Sequence, residues 1–114
     1  MFEYQADFEK HCNRILVDRS ELYGEAWKGV GLQGAVIEIH AKRNRLKKLV
    51  LHRDYGEQFE ARDVLAIRDS LADLRNYCVI ANECLTLGLW YVGESEKTVE
   101  QRKEITRELL EGEG

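Results

Sequence analysis

The chain has no proline, so its nine glycines are the strongest backbone breakers left, and they mark where helices are expected to stop. No apolar run approaches the roughly 20 residues that span a bilayer, and the opening "MFEYQADFEKH" lacks a basic stretch followed by an apolar one. These absences predict a soluble, unexported, cytoplasmic protein with no membrane partner. Cysteine is sparse and odd in number. Cys12, Cys78 and Cys84 show no C-x-x-C spacing and lie in apolar helical patterns, which favours free buried thiols in a reducing compartment over disulfides or zinc. His11, His40 and His52 have no partner at metal spacing, and G-x-S-x-G, H-E-x-x-H and Walker patterns are missing.

What is present points to helices. At 114 residues, 33% of them charged and 44% hydrophobic, the chain suits one folded domain and excludes bulk disorder. The net charge of −4 weighs against nucleic acid as a partner. Strand-like alternation does not occur over any useful length, so the expected fold is all-α, a compact helical bundle of about four helices. Asp7 can N-cap a first helix over 7–23, with Phe8, Cys12, Ile15, Arg19 and Leu22 on one face and Gly24 as its end. A glycine-rich connection then leads to a second helix over 34–53, with Ile39, Leu46, Leu49 and Val50 on a shared side. A third, over 62–87, places Ile67, Leu71, Leu74, Cys78, Ala81 and Leu85 at 4-3-4-3-4 spacing, which predicts the central seam of the core. Thr98 and Gln101 resemble a capping box opening a last helix over 98–111, mostly charged, with a thin Val99, Arg102, Ile105, Leu109 line. Residues 1–92 form the expected core and 93–114 a charged C-terminal helix of the same domain.

"GVGLQG" spells G-x-G-x-x-G, but a helix precedes it where a dinucleotide fold needs a buried strand, so Gly29, Gly31 and Gly34 are not cofactor residues. Free N–H groups at the start of the second helix could still meet an anion. That helix carries six Lys or Arg and no acid from His40 to Arg53. Glu38, Lys42, Arg45 and Leu49 share a narrow face beside the apolar one, so the basic row borders the core; it is either a solvated face or a phosphate-binding wall. On the third helix Asp69, Asp73 and Asn76 fall at i, i+4, i+7 and lead into Ile80 and Leu87. Such carboxylates either ligate Mg²⁺ or answer the basic row in ion pairs.

Three segments, "YGEAW" at Tyr23–Trp27, "AKRNR" at Ala41–Arg45 and "DSLADLRNYCVIANECLTLG" at Asp69–Gly88, resemble in order and spacing the nucleotide modification associated domain 1 family of phages and bacteria. The resemblance implies an all-α domain linked to nucleotide or modified-base metabolism. The layout is also distantly similar to MazG-like nucleoside triphosphate pyrophosphohydrolases, whose Mg²⁺ sites face an E-x-x-E helix with an E-x-x-D helix. This chain departs at both places: Ser70 stands where the first acid of E-x-x-D would fall, and Glu38 is followed by Lys42. The resulting expectation is a homo-oligomer that binds a nucleotide or nucleotide-like molecule between the second and third helices. Tyr23 and Trp27 would stack on it, and Lys42, Arg43, Arg45 and Asn76 would meet the ligand and its phosphate. Asp69 and Asp73 would be catalytic if the chain hydrolyses its ligand, and with Glu38 they would take Mg²⁺. The alternative is a non-enzymatic, phage-type accessory protein acting through its last helix and Leu89-Trp90-Tyr91.

Overall fold

A computed structural model describes residues 2–113, and within them every side chain but those of Tyr23 and Glu113. Four α-helices follow one another: α1 (Gln5–Tyr23), α2 (Trp27–Leu46), α3 (Ala61–Thr86) and α4 (Glu96–Glu113). A π-helical turn at Lys47–Leu51 prolongs α2, and the described residues contain no strand. The all-α class and the four-helix count match the periodicity. No helix among the described residues is long and apolar enough to cross a membrane.

α1 starts earlier than the sequence suggests, because Asp7 lies inside the first turn instead of capping it. Its carboxylate meets Arg68 Nη2 at 2.9 Å. The predicted end holds: Gly24 takes φ 60° and its N–H donates to the Ser20 carbonyl at 2.8 Å. Cys12 is fully buried, whereas Leu22, expected on the same inward face, is exposed.

The largest correction concerns the glycine-rich stretch. It is not a connection before a helix starting at 34 but the first turns of α2, broken at one residue. Gly31 takes φ 64°, ψ −169°, a backbone essentially closed to other residues. At the break Leu32 and Gln33 donate their N–H groups to the carbonyls of Leu89 and Trp90, at 2.8 and 3.1 Å. The amides that the sequence seemed to offer an anion are therefore satisfied by the chain's own segment after α3.

Arg53 ties the far end of α2 to α3. Its Nε donates to the Leu49 carbonyl at 2.7 Å, its Nη2 lies 2.8 Å from Asp63 Oδ1, and its guanidinium stacks on Phe59. Asp63 Oδ2 in turn accepts the Glu60 N–H at 2.9 Å, half of a capping box that starts α3.

α3 is central, as expected, and touches each of the other helices. Of its predicted seam, however, Ile67, Leu74 and Ala81 are half-buried and the other half faces outward. The buried residues are Ser70, Ala72, Asn76 and Cys84, while Leu71, Cys78 and Leu85 from the 4-3 line are exposed. Small side chains let α1 and α2 approach α3 closely, and the large ones are left on the open side.

α4 begins two residues before the predicted start, capped by Ser95. Ser95 Oγ accepts the Thr98 N–H at 3.2 Å and exchanges a hydrogen bond with Thr98 Oγ1, so Thr98 sits inside the helix and not at its cap. Of the expected apolar line on α4, Ile105 and Leu109 are exposed; Thr106 is buried instead. Arg102 pairs with Glu94 and stacks over Trp90 and Tyr91, 4.8 and 5.6 Å from their ring centres. The aromatic segment after α3 is thereby occupied by α4.

Candidate functional site

α1, α2 and α3 enclose two cavities that share Arg19 as a wall. The first, about 310 Å³, is lined mainly by apolar groups: Leu16 from α1, Trp27, Val30, Gly34 and Ala35 from α2, and Tyr77 and Ile80 from α3. Glu38 and Asn76 are its polar members, with Arg19 and Ser20. Its shape follows from residue size, since Gly34 and Ala35 open room that Trp27 and Tyr77 border.

The second cavity, about 520 Å³, is polar, with His11, Ile15, Arg19, Lys42, Arg45, Asp69, Ser70 and Asp73 on its walls. Asp73 organises it. One carboxylate oxygen lies 2.9 Å from Arg19 Nη2 and the other 3.3 Å from Lys42 Nζ, with the Asp73 side chain only 14% exposed. A carboxylate held between two cations fixes both partners in place. Asp69 is different: its side chain is 67% exposed, and its Oδ1 lies 3.6 Å from His11 Nε2. The i, i+4, i+7 line thus runs from the exposed Asp69 through Asp73 to the buried Asn76, as its lead into a buried stripe predicts.

Two donors in this cavity lack full partners. Arg45 Nε donates to Ser70 Oγ at 3.2 Å, and no carboxylate pairs with Arg45 among the described residues. Ser70 passes its own proton to the Ala66 carbonyl at 2.8 Å, which leaves its lone pairs to the guanidinium. His11 Nδ1 lies 3.2 Å from Arg14 Nη2, and a guanidinium only donates, so Nδ1 accepts and Nε2 is the ring nitrogen that bears hydrogen. That buried Nε2 has no hydrogen-bond partner.

The sequence-predicted residues divide accordingly. Lys42, Arg45, Asp69 and Asp73 come together in the polar cavity; Trp27, Glu38 and Asn76 come together in the apolar one. Arg43 is exposed and lines neither. The Tyr23 side chain lies outside the described residues. Asn76 has a structural task, its Nδ2 donating to the Cys12 carbonyl at 3.0 Å and its Oδ1 accepting from Arg75 at 3.1 Å. Sequence reasoning missed Arg19, His11, Ser70 and Tyr77 as site members. Arg19 could have been found, because it is a charged residue on an otherwise apolar helical line.

The donor set does not fit a resident Mg²⁺. Asp73 offers both oxygens to cations, Asp69 sits at the exposed rim beside His11, and Glu38 belongs to the other cavity. Among the described residues no group of three or more carboxylate, His or Cys side chains is placed to hold a metal ion. Comparison with protein-family models, with curated proteins and with solved structures yields no match to this chain.

Proposed function

We propose that the chain binds a nucleotide across the two cavities, with the base against Trp27 and Tyr77 and the phosphate in the polar cavity. The observation that carries this reading is a buried His11 Nε2 with no hydrogen-bond partner and an Arg45 that meets only the Ser70 hydroxyl and no carboxylate, beside an apolar cavity with aromatic walls. Phosphate oxygens accept from such groups, and a guanidinium with free N–H groups suits their geometry. Lys42 and Arg19 add positive charge that Asp73 holds in position without cancelling it: Arg19, Lys42 and Arg45 face Asp69 and Asp73, three cations to two anions. An apolar cavity with a few convergent polar groups is the usual form of a small-ligand site. The resemblance to a family linked to nucleotide metabolism points the same way.

The proposed activity is capture, not hydrolysis. Cleaving a triphosphate calls for carboxylates that hold ions and activate water, and the carboxylate best placed here is engaged by Arg19 and Lys42. Any Mg²⁺ would arrive with the ligand's phosphates.

Calorimetric titration with nucleoside mono- and triphosphates, with and without Mg²⁺, tests the reading. Binding should survive removal of Mg²⁺. Arg45→Ala should weaken it about tenfold or more, the loss of a charge-assisted hydrogen bond being worth roughly 1.5–3 kcal/mol. Trp27→Ala should weaken nucleotides while leaving binding of inorganic pyrophosphate unchanged. No binding of any nucleotide by the wild type, or equal binding by Arg45→Ala, overturns it.

A further inference from the structure

Along α3 the apolar residues repeat every seven positions in two interleaved series, Val64, Leu71, Cys78 and Leu85 with Ile67, Leu74 and Ala81. This is the a/d pattern of a helix that packs against another helix over three heptads. Within the chain the first series is left open, and Ile67, Leu74 and Ala81 of the second are only half-buried. The buried residues of α3 lie on its other flanks, while Val64 is 53% exposed, Leu71 43% and Leu85 36%. No charged side chain interrupts the line.

The surface area shows the same deficit. A folded monomer of 13.3 kDa exposes about 6,500 Å², whereas this chain exposes 8804 Å². The excess, roughly 2,300 Å², exceeds the ~800 Å² per partner of a standard stable interface. The interior is correspondingly poor: among the described residues the largest fully buried side chains are Cys12, Cys84 and Ser70.

We infer that α3 pairs with α3 of a second copy, making a homodimer about the Val64–Leu71–Cys78–Leu85 line. A two-fold interface needs one patch that fits itself, and a uniform apolar heptad line meets that need. The flanking charges permit it. Arg68 and Arg75 border the line at positions where identical helices would bring like charges together, but Asp7 and Glu9 of α1 neutralise them inside each chain. The inference is independent of the nucleotide reading, since both cavities lie among α1, α2 and the opposite flank of α3.

Sedimentation equilibrium at micromolar concentration should give twice the 13.3 kDa chain mass. Leu71→Glu alters a side chain that the single chain leaves half-exposed, so it should yield a helical monomer, its dissociation constant raised roughly a hundredfold. Leu51→Glu, at a position 71% exposed and off the line, should remain dimeric. Alkylation of the exposed Cys78 thiol in the wild type should slow as protein concentration rises, a measurement that needs no variant. A wild type of single-chain mass, a Leu71→Glu protein that keeps double mass, or a Cys78 rate independent of concentration overturns the proposal.

Discussion

Gly31 and Gly88 hold backbone conformations that their neighbours in space make irreplaceable. Gly88 takes φ 75°, and an added Cβ would overlap the Val99 carbonyl and come within 2.8 Å of the Lys103 nitrogen. Gly88→Ala should cost at least about 1–2 kcal/mol from the left-handed conformation alone, with the overlap adding to it; urea unfolding measures the sum. At Gly31 the added Cβ would lie 2.9 Å from the Leu89 oxygen, so substitution pushes apart two segments that are hydrogen-bonded at the next residue. Asn76 is the polar counterpart. It is 3% exposed and bridges α3 to the α1 backbone, so Asn76→Ala should destabilise by roughly 1–3 kcal/mol because the Cys12 carbonyl loses its donor. The three thiols should separate by reactivity. Burial raises the pKa of Cys12 and Cys84, which keeps them protonated and closed to reagent, while Cys78 is exposed. Mass spectrometry after brief alkylation of the native chain, diluted until it is monomeric, should find the label on Cys78. The sequence predicts buried thiols for all three, and holds for two; an apolar helical pattern does not say which side of a helix has a neighbour.

Among the elements, α1 is held most by polar contacts. Asp7–Arg68, Glu9–Arg75, Arg19–Asp73 and the Asn76–Cys12 hydrogen bond join it to α3, with Cys12 as its one buried apolar residue among the described side chains. Exposed ion pairs contribute little each and weaken with salt. Hydrogen exchange should therefore show α1 opening before α2 and α3, and opening further as salt rises. The start of α3 responds to acid. The Glu60 N–H bond first, and then the Arg53 guanidinium, hold the Asp63 pKa below its ordinary value. A depressed carboxylate pKa stabilises the fold above the unfolded-state value, and that contribution is lost as pH falls through the folded value. Acid unfolding should accordingly have an Asp63 component below about pH 4, and Asp63→Asn should flatten that limb without changing stability's slope near neutrality. Helix existence and order were legible in the periodicity of apolar residues. The starts of α2 and α4 were not, because a glycine cluster reads as a break wherever it occurs, and because Ser95 and Thr98 both have the hydroxyl that a cap requires. The outward turn of the Leu71 line was equally hidden: a seven-residue repeat says that a helix has a partner, not that the partner lies in the same chain. Of the site, the basic row and the Asp69–Asp73–Asn76 line were visible as spacings. Arg19 and His11, contributed by α1, depend on how that helix docks.

At the scale of the whole molecule the extents are 53 × 32 × 29 Å, a long body whose open side carries the heptad line. If two copies share that side, folding and association are linked, and the midpoint of thermal unfolding should rise with protein concentration. Circular dichroism melts across a hundredfold dilution series check this, and Leu71→Glu should melt at one temperature throughout. The hydrogen bonds from Leu32 and Gln33 to Leu89 and Trp90 also join points half the chain apart. A ribosome delivers the Trp27 end of α2 long before it delivers Trp90. The wall of the apolar cavity therefore cannot be set during synthesis of the first half. A fragment ending at Gly88, lacking the Leu89 and Trp90 carbonyls that accept from Leu32 and Gln33, should leave Trp27 as solvent-exposed in fluorescence quenching as it is in urea, so that the cavity comes into being only when α3 has been completed and passed.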